Sequence, residues 1–243
     1  MYDLFGTVHI LAIIGSVIVT LILTFIFGKL KMEKVFKVML YIGIISEVIK
    51  VFAFIIANED KYGGYLPKTD LPLHLCSIQI LFILFLNFSN NQKIKKLLLS
   101  FMLPSCLLGG IAAIFIATSS SRSMPVITLQ YFTYHSALIA FSINLYRNKE
   151  IKFEFKDYIN CLKFLMAIGF FAIYINSMLY DGTVNVNFMY VVDPPQSGLP
   201  FLNENNGWLV YICHYAFLAV TLISVCYIKQ IIDKVKSLKK VRN

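Results

Sequence analysis

Seven apolar runs, each close to the length of a bilayer-spanning helix, divide this chain from end to end: Val8–Phe27, Phe36–Ala57, Leu71–Phe88, Leu97–Ala117, Val126–Tyr146, Ile159–Tyr180 and Trp208–Ile228. A hydrocarbon core about 30 Å thick takes about 20 residues of helix. Backbone polar groups in lipid must find partners within the protein, so such runs fold as helices or as closed barrels. Barrel strands alternate polar and apolar residues, and these runs do not. The expected fold is therefore all-α, a polytopic membrane bundle of seven transmembrane helices. Composition agrees, with 58% of the 243 residues hydrophobic and 14% charged, and a mean hydropathy of +0.72. Soluble domains are far less apolar. The first run lacks a basic leader and a small-residue cleavage site, so it reads as a span rather than a signal peptide. One transmembrane domain over residues 1–243 accounts for the whole chain.

The charges set the expected topology. Loop 29–37 holds four Lys, loop 89–96 three, loop 147–158 four Lys or Arg, and the tail 229–243 six. The alternate loops hold only Lys61, Lys68 and Arg122, and Lys50 and Lys163 lie within runs. Cytoplasmic loops carry the excess of Lys and Arg, so the N-terminus is expected outside and the C-terminus inside. The net charge of +9 thus reflects topology and attraction to anionic headgroups rather than binding of nucleic acid. Residues 229–243 read as a basic cytoplasmic tail. Residues 181–207 form a long extracellular loop of 27 residues with three acids and no Lys or Arg. Loops of that length act as lids or binding loops, or pack as caps over helix ends.

Ionisable side chains inside a membrane are costly and mark function or pairing. Depth follows from a rise of about 1.5 Å per residue. His9 and His74 lie near the outer ends of the first and third runs. His214 falls about 9 Å in, His135 about 13 Å in, and Glu47 about 15 Å below the outer end of the second run. Lys50 is one turn above Glu47, and the two can neutralise one another. Asn176 lies four residues from the outer end of the sixth run. The histidines gather in the outer half or near the middle, the pattern of a polar cavity opening outward.

Five cysteines, Cys76, Cys106, Cys161, Cys213 and Cys226, lie in apolar runs without CxxC spacing. Neither a disulfide framework nor a zinc site is indicated, no metal or other cofactor is expected, and four of the five read as packing residues. Cys76 differs. In "KTDLPLHLC", Asp70 or Thr69 can cap a helix whose first turn suits Pro72. A thiol near that N-terminus becomes more acidic. Gln79, three residues on, shares its face and can donate to a substrate oxygen. Residues two apart on a regular helix point about 200° apart, so His74 is not expected to serve Cys76 as base. His135 fits best by depth, making a Cys–His pair across two helices, with His74 facing a neighbour such as Glu47.

The elements "LPLHLC" at 71–76, "YFTYHSALI" at 131–139 and "DGTVNVNFMYVVDPP" at 181–195, in that order, resemble the YwaF-type bacterial integral membrane proteins, a family related to animal transmembrane protein 164. "FGTVHI" with His9, and Glu47 in the second run, also fit. Asn187 matches an Asn–aromatic–Met–Tyr/Phe element. The resemblance implies an acyltransferase of the bacterial cell membrane that moves a fatty acyl group between phospholipids through a cysteine thioester. Cys76 would be that cysteine and His135 its partner, assisted by His74. Gln79, His9, Glu47, Asn176, Asn187 and His214 would contact substrate. The chain departs from the family at Ser77, where an acid is usual after the cysteine. It departs again at "NENNGWLVY", which stands for a "GPWPWY"-like element.

Two other readings remain open on the residues alone. The outward cavity could bind or transport a small polar ligand without enzymatic activity. Of the glycine pairs, only Gly109–Gly110 could break a helix as transporters require. The polar residues could also be internal glue in a subunit of a membrane complex.

Overall fold

The computed structural model describes residues 3–57, 64–149, 151–183, 186–195, 202 and 207–242. Lys61, Gly63 and residues 184–185, 196–201 and 203–206 of the long loop lie outside the described residues. Among the described residues the chain forms eight α-helices and no strand: α1 (Thr7–Gly28), α2 (Met32–Ala57), α3 (Leu75–Phe88), α4 (Gln92–Phe115), α5 (Pro125–Arg147), α6 (Phe155–Leu179), α7 (Trp208–Cys226) and α8 (Ile228–Arg242). Short 3-10 turns occur at Lys68–Asp70, Ser120–Arg122 and Phe188–Tyr190. Six of the helices are long and apolar enough to cross a membrane, and the protein is a multi-pass membrane protein.

The third apolar run departs from expectation. It was read as helical from Leu71, but α3 starts at Leu75 and has 14 residues, about 21 Å of helix. Pro72 explains the late start. Proline disfavours helical geometry in the residue before it, and Leu71 is extended at φ −57°, ψ 149°. Thr69 and Asp70 therefore belong to a separate turn and do not cap α3. His74 occupies the N-cap position and makes no side-chain capping bond.

Other helix ends follow local chemistry. Asn91 caps α4 by accepting from the N–H groups of Lys93 and Ile94. Pro125 opens α5, where its missing N–H costs nothing. A reciprocal Glu154–Asp157 box starts α6, and Asp157 also pairs with Lys96 at 3.2 Å.

Helix α5 is the axis of the bundle and packs on α1, α2 and α4. Helix α4 in turn meets α3, α6 and α7. In the spanning window of α5, 61% of residues are buried, against 11% in those of α1, α6 and α7, so the latter three present their faces to lipid. The α4–α5 contact is close because Gly110 sits where a Cβ would fall 2.6 Å from Ile139 Cγ1 and 3.1 Å from the His135 carbonyl. Gly109–Gly110 therefore serves helix approach, and α4 runs through it unbroken. Pro104 within α4 deprives the Ser100 carbonyl of its helical donor. Tyr227, at the α7–α8 junction, supplies a hydroxyl to that carbonyl at 2.7 Å. Cys106 and Cys161 are packed in the main apolar core.

Candidate functional site at the start of helix α3

Cys76 is the second residue of α3, closer to the helix end than the sequence suggested. The first intrahelical bond is donated by Ile78 to the His74 carbonyl. The preceding N–H groups therefore lie in the partly positive first turn. Ser77 follows Cys76 in this first turn. Behind them stands an ion pair on α2. Lys50 Nζ is 2.6 Å from Glu47 Oε1, Ser77 donates to Glu47 Oε2 at 3.1 Å, and Lys50 donates to Ser77 Oγ at 3.4 Å. The mutual neutralisation of Glu47 and Lys50 read from their spacing is present, and Ser77 joins it. From α5, the Tyr134 hydroxyl donates to the Cys76 carbonyl at 2.9 Å and ties the first turn of α3 in place.

Two histidines border this cluster with their ring nitrogens assigned by their partners. His135 Nδ1 meets the Tyr131 carbonyl at 2.7 Å. A carbonyl only accepts, so Nδ1 carries hydrogen and the neutral ring keeps its lone pair at Nε2. His74 Nε2 meets the Thr69 carbonyl at 3.3 Å, which leaves the lone pair at Nδ1. His135 follows Tyr134, whose hydroxyl reaches the first turn of α3, and His74 is the N-cap residue of that helix. Among the described residues no hydrogen bond joins the Cys76 sulfur to either ring.

A folded strap covers the cluster. Residues 186–195 of the long loop are packed and hydrogen-bonded, as a cap would be. Asn176 of α6 bonds both backbone groups of Phe188. Asn187 closes the strap on itself, accepting from Val192 at 3.1 Å and donating to the Asp193 carbonyl at 2.7 Å. From α7, Trp208 donates to Val191, Tyr211 to Tyr190 and Tyr215 to Met189, each to the carbonyl. Met189 and Tyr190 sit at φ 58° and 54°, a left-handed geometry that non-glycine residues rarely take. The clamps hold it. The rings of Phe188 and Tyr190 rest on His74, with centroids 5.0 and 5.7 Å away. Burial pushes the Tyr190 phenol up from its ordinary range. Burial likewise raises the Asp70 carboxyl, against opposing help from Thr69, Lys50 and Ser120.

The remaining candidates fall elsewhere. Gln79 is buried, and its amide donates to Ser105 of α4 at 2.9 Å, so it links helices rather than facing a substrate oxygen. His9 is fully buried. Its Nδ1 accepts from the Phe5 N–H at 2.9 Å and its Nε2 bonds the Ile114 carbonyl at 3.0 Å, which joins α1 to α4. His214 is exposed on α7, a helix that shows most of its surface, and does not join the cluster. Asn176 and Asn187 act through the strap. Of the four histidines expected to gather, two stand at the start of α3, His9 joins α1 to α4, and His214 is exposed.

Several contributors were not singled out from sequence. Tyr134, Tyr190 and the α7 clamps carried no charge to attract notice. Trp208, Tyr211 and Tyr215 nevertheless share one helical face by their spacing, a signal that was available. Among the described residues no group of three or more His, Cys, Asp or Glu is arranged to hold a metal ion.

A multi-pass helical membrane protein with a thiol, two imidazoles and a partly buried ion pair around one short helix end is the class defined so far. The chain matches the model of the TMEM164 family over residues 4–227 and belongs to that family. No curated protein and no solved structure matches it.

Proposed function

We propose that this protein is an acyltransferase of the bacterial plasma membrane that moves a fatty acyl group between phospholipids through a thioester on Cys76. In this reading α3 with its approach completes seven crossings, the N-terminus is outside, and the site serves the outer leaflet. The observation that carries the proposal is the position of Cys76 in the first turn of α3, beside Ser77 and Lys50 and bordered by His74 and His135. Helix N-termini and adjacent cations favour thiolate, the nucleophilic form.

His135 Nε2 accepts the thiol proton, and the sulfur attacks the ester carbonyl of a phospholipid. The oxyanion is held by N–H groups of the first turn of α3. The ester C–O bond breaks, the imidazolium returns its proton to the leaving lysolipid alkoxide, and the acyl group remains on sulfur. A second lysolipid hydroxyl then attacks the thioester, giving its proton through the imidazole to the departing sulfur. Catalytic hydrogen bonds commonly tighten only with substrate bound, and this mechanism requires His135 to close on the sulfur in that complex. His74 orients the site, held by the edge-on Phe188 ring and the tilted Tyr190 ring of the strap.

A transporter reading is less well supported. The intact α4 lacks the broken helix that many transporters use, and Glu47 and Lys50 satisfy each other. Purified protein incubated with acyl-labelled phospholipid is expected to gain a hydroxylamine-sensitive adduct that maps to Cys76. Acyl transfer by Cys76→Ala at the wild-type rate overturns the proposal.

A further inference from the structure

The Glu47–Lys50–Ser77 network has a chemical consequence for the thiol beside it. An ion pair buried in a spanning helix needs no third partner for neutrality, yet this one reaches across to α3 and ends on the residue that follows Cys76. Lys50 Nζ is 3.4 Å from Ser77 Oγ, and Ser77 follows Cys76 in the first turn of α3. The side chains of Lys50 and Glu47 are only 16% and 21% exposed, so their charges are weakly screened. We propose that Lys50, held in place by Glu47 and Ser77, is the cation that activates Cys76, and that Glu47 restrains this activation by opposing it. This assignment rests on the reading of Cys76 as the nucleophile.

The surroundings leave Lys50 in that role. Around this turn stand Lys50 and Glu47 of α2, joined to Ser77, and Tyr134 of α5, whose hydroxyl donates to the Cys76 carbonyl. His74, the N-cap residue of α3, lies two residues before Cys76 and is neutral in the tautomer described. Lys50 is thus the single fixed cation of this set. Opposite charges nearby favour the thiolate and like charges oppose it. Removing Lys50 and removing Glu47 must therefore change thiol reactivity in opposite directions. A network that only braced α2 against α3 would move both variants the same way. Lys50 and Glu47 are positioning residues here, because they act on the sulfur through space and through Ser77.

The test uses the full-length protein in lipid nanodiscs without substrate. The rate of Cys76 alkylation by iodoacetamide is followed by peptide mass spectrometry at pH 8. Lys50→Gln is expected to slow alkylation about tenfold and Glu47→Gln to speed it several-fold, from the loss of one charge close to the sulfur in a weakly screened site. Lys50→Gln leaves a carboxylate unpaired and can misfold. The comparison of Glu47→Gln with Glu47→Gln/Lys50→Gln removes that difficulty, because both lack the carboxylate. The double variant is expected to react about tenfold more slowly than Glu47→Gln. Equal rates for that pair, or changes of the same sign in the two single variants, overturn the assignment. The readout needs no acyl transfer. Alkylation rates that fail the expected pattern in a protein that still forms the Cys76 adduct overturn this assignment alone, whereas normal transfer by Cys76→Ala overturns the acyltransferase reading and this assignment with it.

Discussion

Asn176 grips Phe188 with both ends of its amide. Its Nδ2 donates to the Phe188 carbonyl at 3.1 Å, and the Phe188 N–H donates to its Oδ1 at 2.8 Å. Both groups are buried, so the pair replaces two backbone partners that water cannot supply. The strap over His74 hangs from this bond pair on the α6 side and from three aromatic donors on the α7 side.

Replacing Asn176 by Ala leaves two buried backbone groups without partners, which costs about 2–4 kcal/mol. Limited proteolysis is expected to cut within 181–207 faster in Asn176→Ala than in wild type. Thermal unfolding in detergent should shift down in parallel. Asn176→Asp is expected to keep the bond from the Phe188 N–H and lose the other, giving an intermediate shift.

His9 invites a different experiment. Both of its ring nitrogens are engaged with backbone groups, one on each side of the α1–α4 contact. His9→Ala is expected to lower stability by about 2–4 kcal/mol through the cavity and the unsatisfied groups it leaves. Acyl transfer per folded molecule should be unchanged. A fall in turnover without a fall in the unfolding temperature would return His9 to the site.

Asp70 gives a pH-dependent outcome. Burial raises its carboxyl above the ordinary value, so the folded protein holds that proton more tightly than the unfolded chain does. The group's contribution to stability is fully present below the unfolded value and is lost as pH rises through the raised one. At pH 7 the carboxyl is a net burden to the fold. Asp70→Asn keeps the shape and removes the titration. Its unfolding temperature is expected to exceed wild type at pH 7, with the difference shrinking as the pH approaches 4.

The helices were legible because lipid imposes a rule that sequence must obey over 20 residues at a time. The site was legible only where polarity was out of place, and depth alone could not say which way a side chain faced. His135 and His214 lie at neighbouring depths, yet His135 follows the tyrosine that ties the start of α3 while His214 is exposed. Pro72 shifted the start of α3 by one turn and took the capping role from Asp70 and Thr69. Its effect on Leu71 could have been foreseen. The strap could not, since Met189 and Tyr190 take left-handed geometry under tertiary clamps rather than by local preference.

Gly110 tests how closely the site depends on the α4–α5 approach. A Cβ there would meet Ile139 Cγ1 at 2.6 Å and the His135 carbonyl at 3.1 Å. The side chain of Ile139 can turn, but the backbone at His135 must move if the methyl is to fit. Overpacking of this kind costs about 1–3 kcal/mol. Because the strain falls on the residue whose Nε2 must reach Cys76, Gly110→Ala is expected to slow thioester formation more than its loss of stability accounts for. Gly15→Ala in α1 is the matched control, since nothing lies within 4 Å of its Cβ. That change should stabilise the protein by about 0.5–1 kcal/mol through backbone entropy alone and leave turnover untouched. Equal turnover in the two variants, measured per folded molecule, would mean that the position of His135 does not govern the reaction.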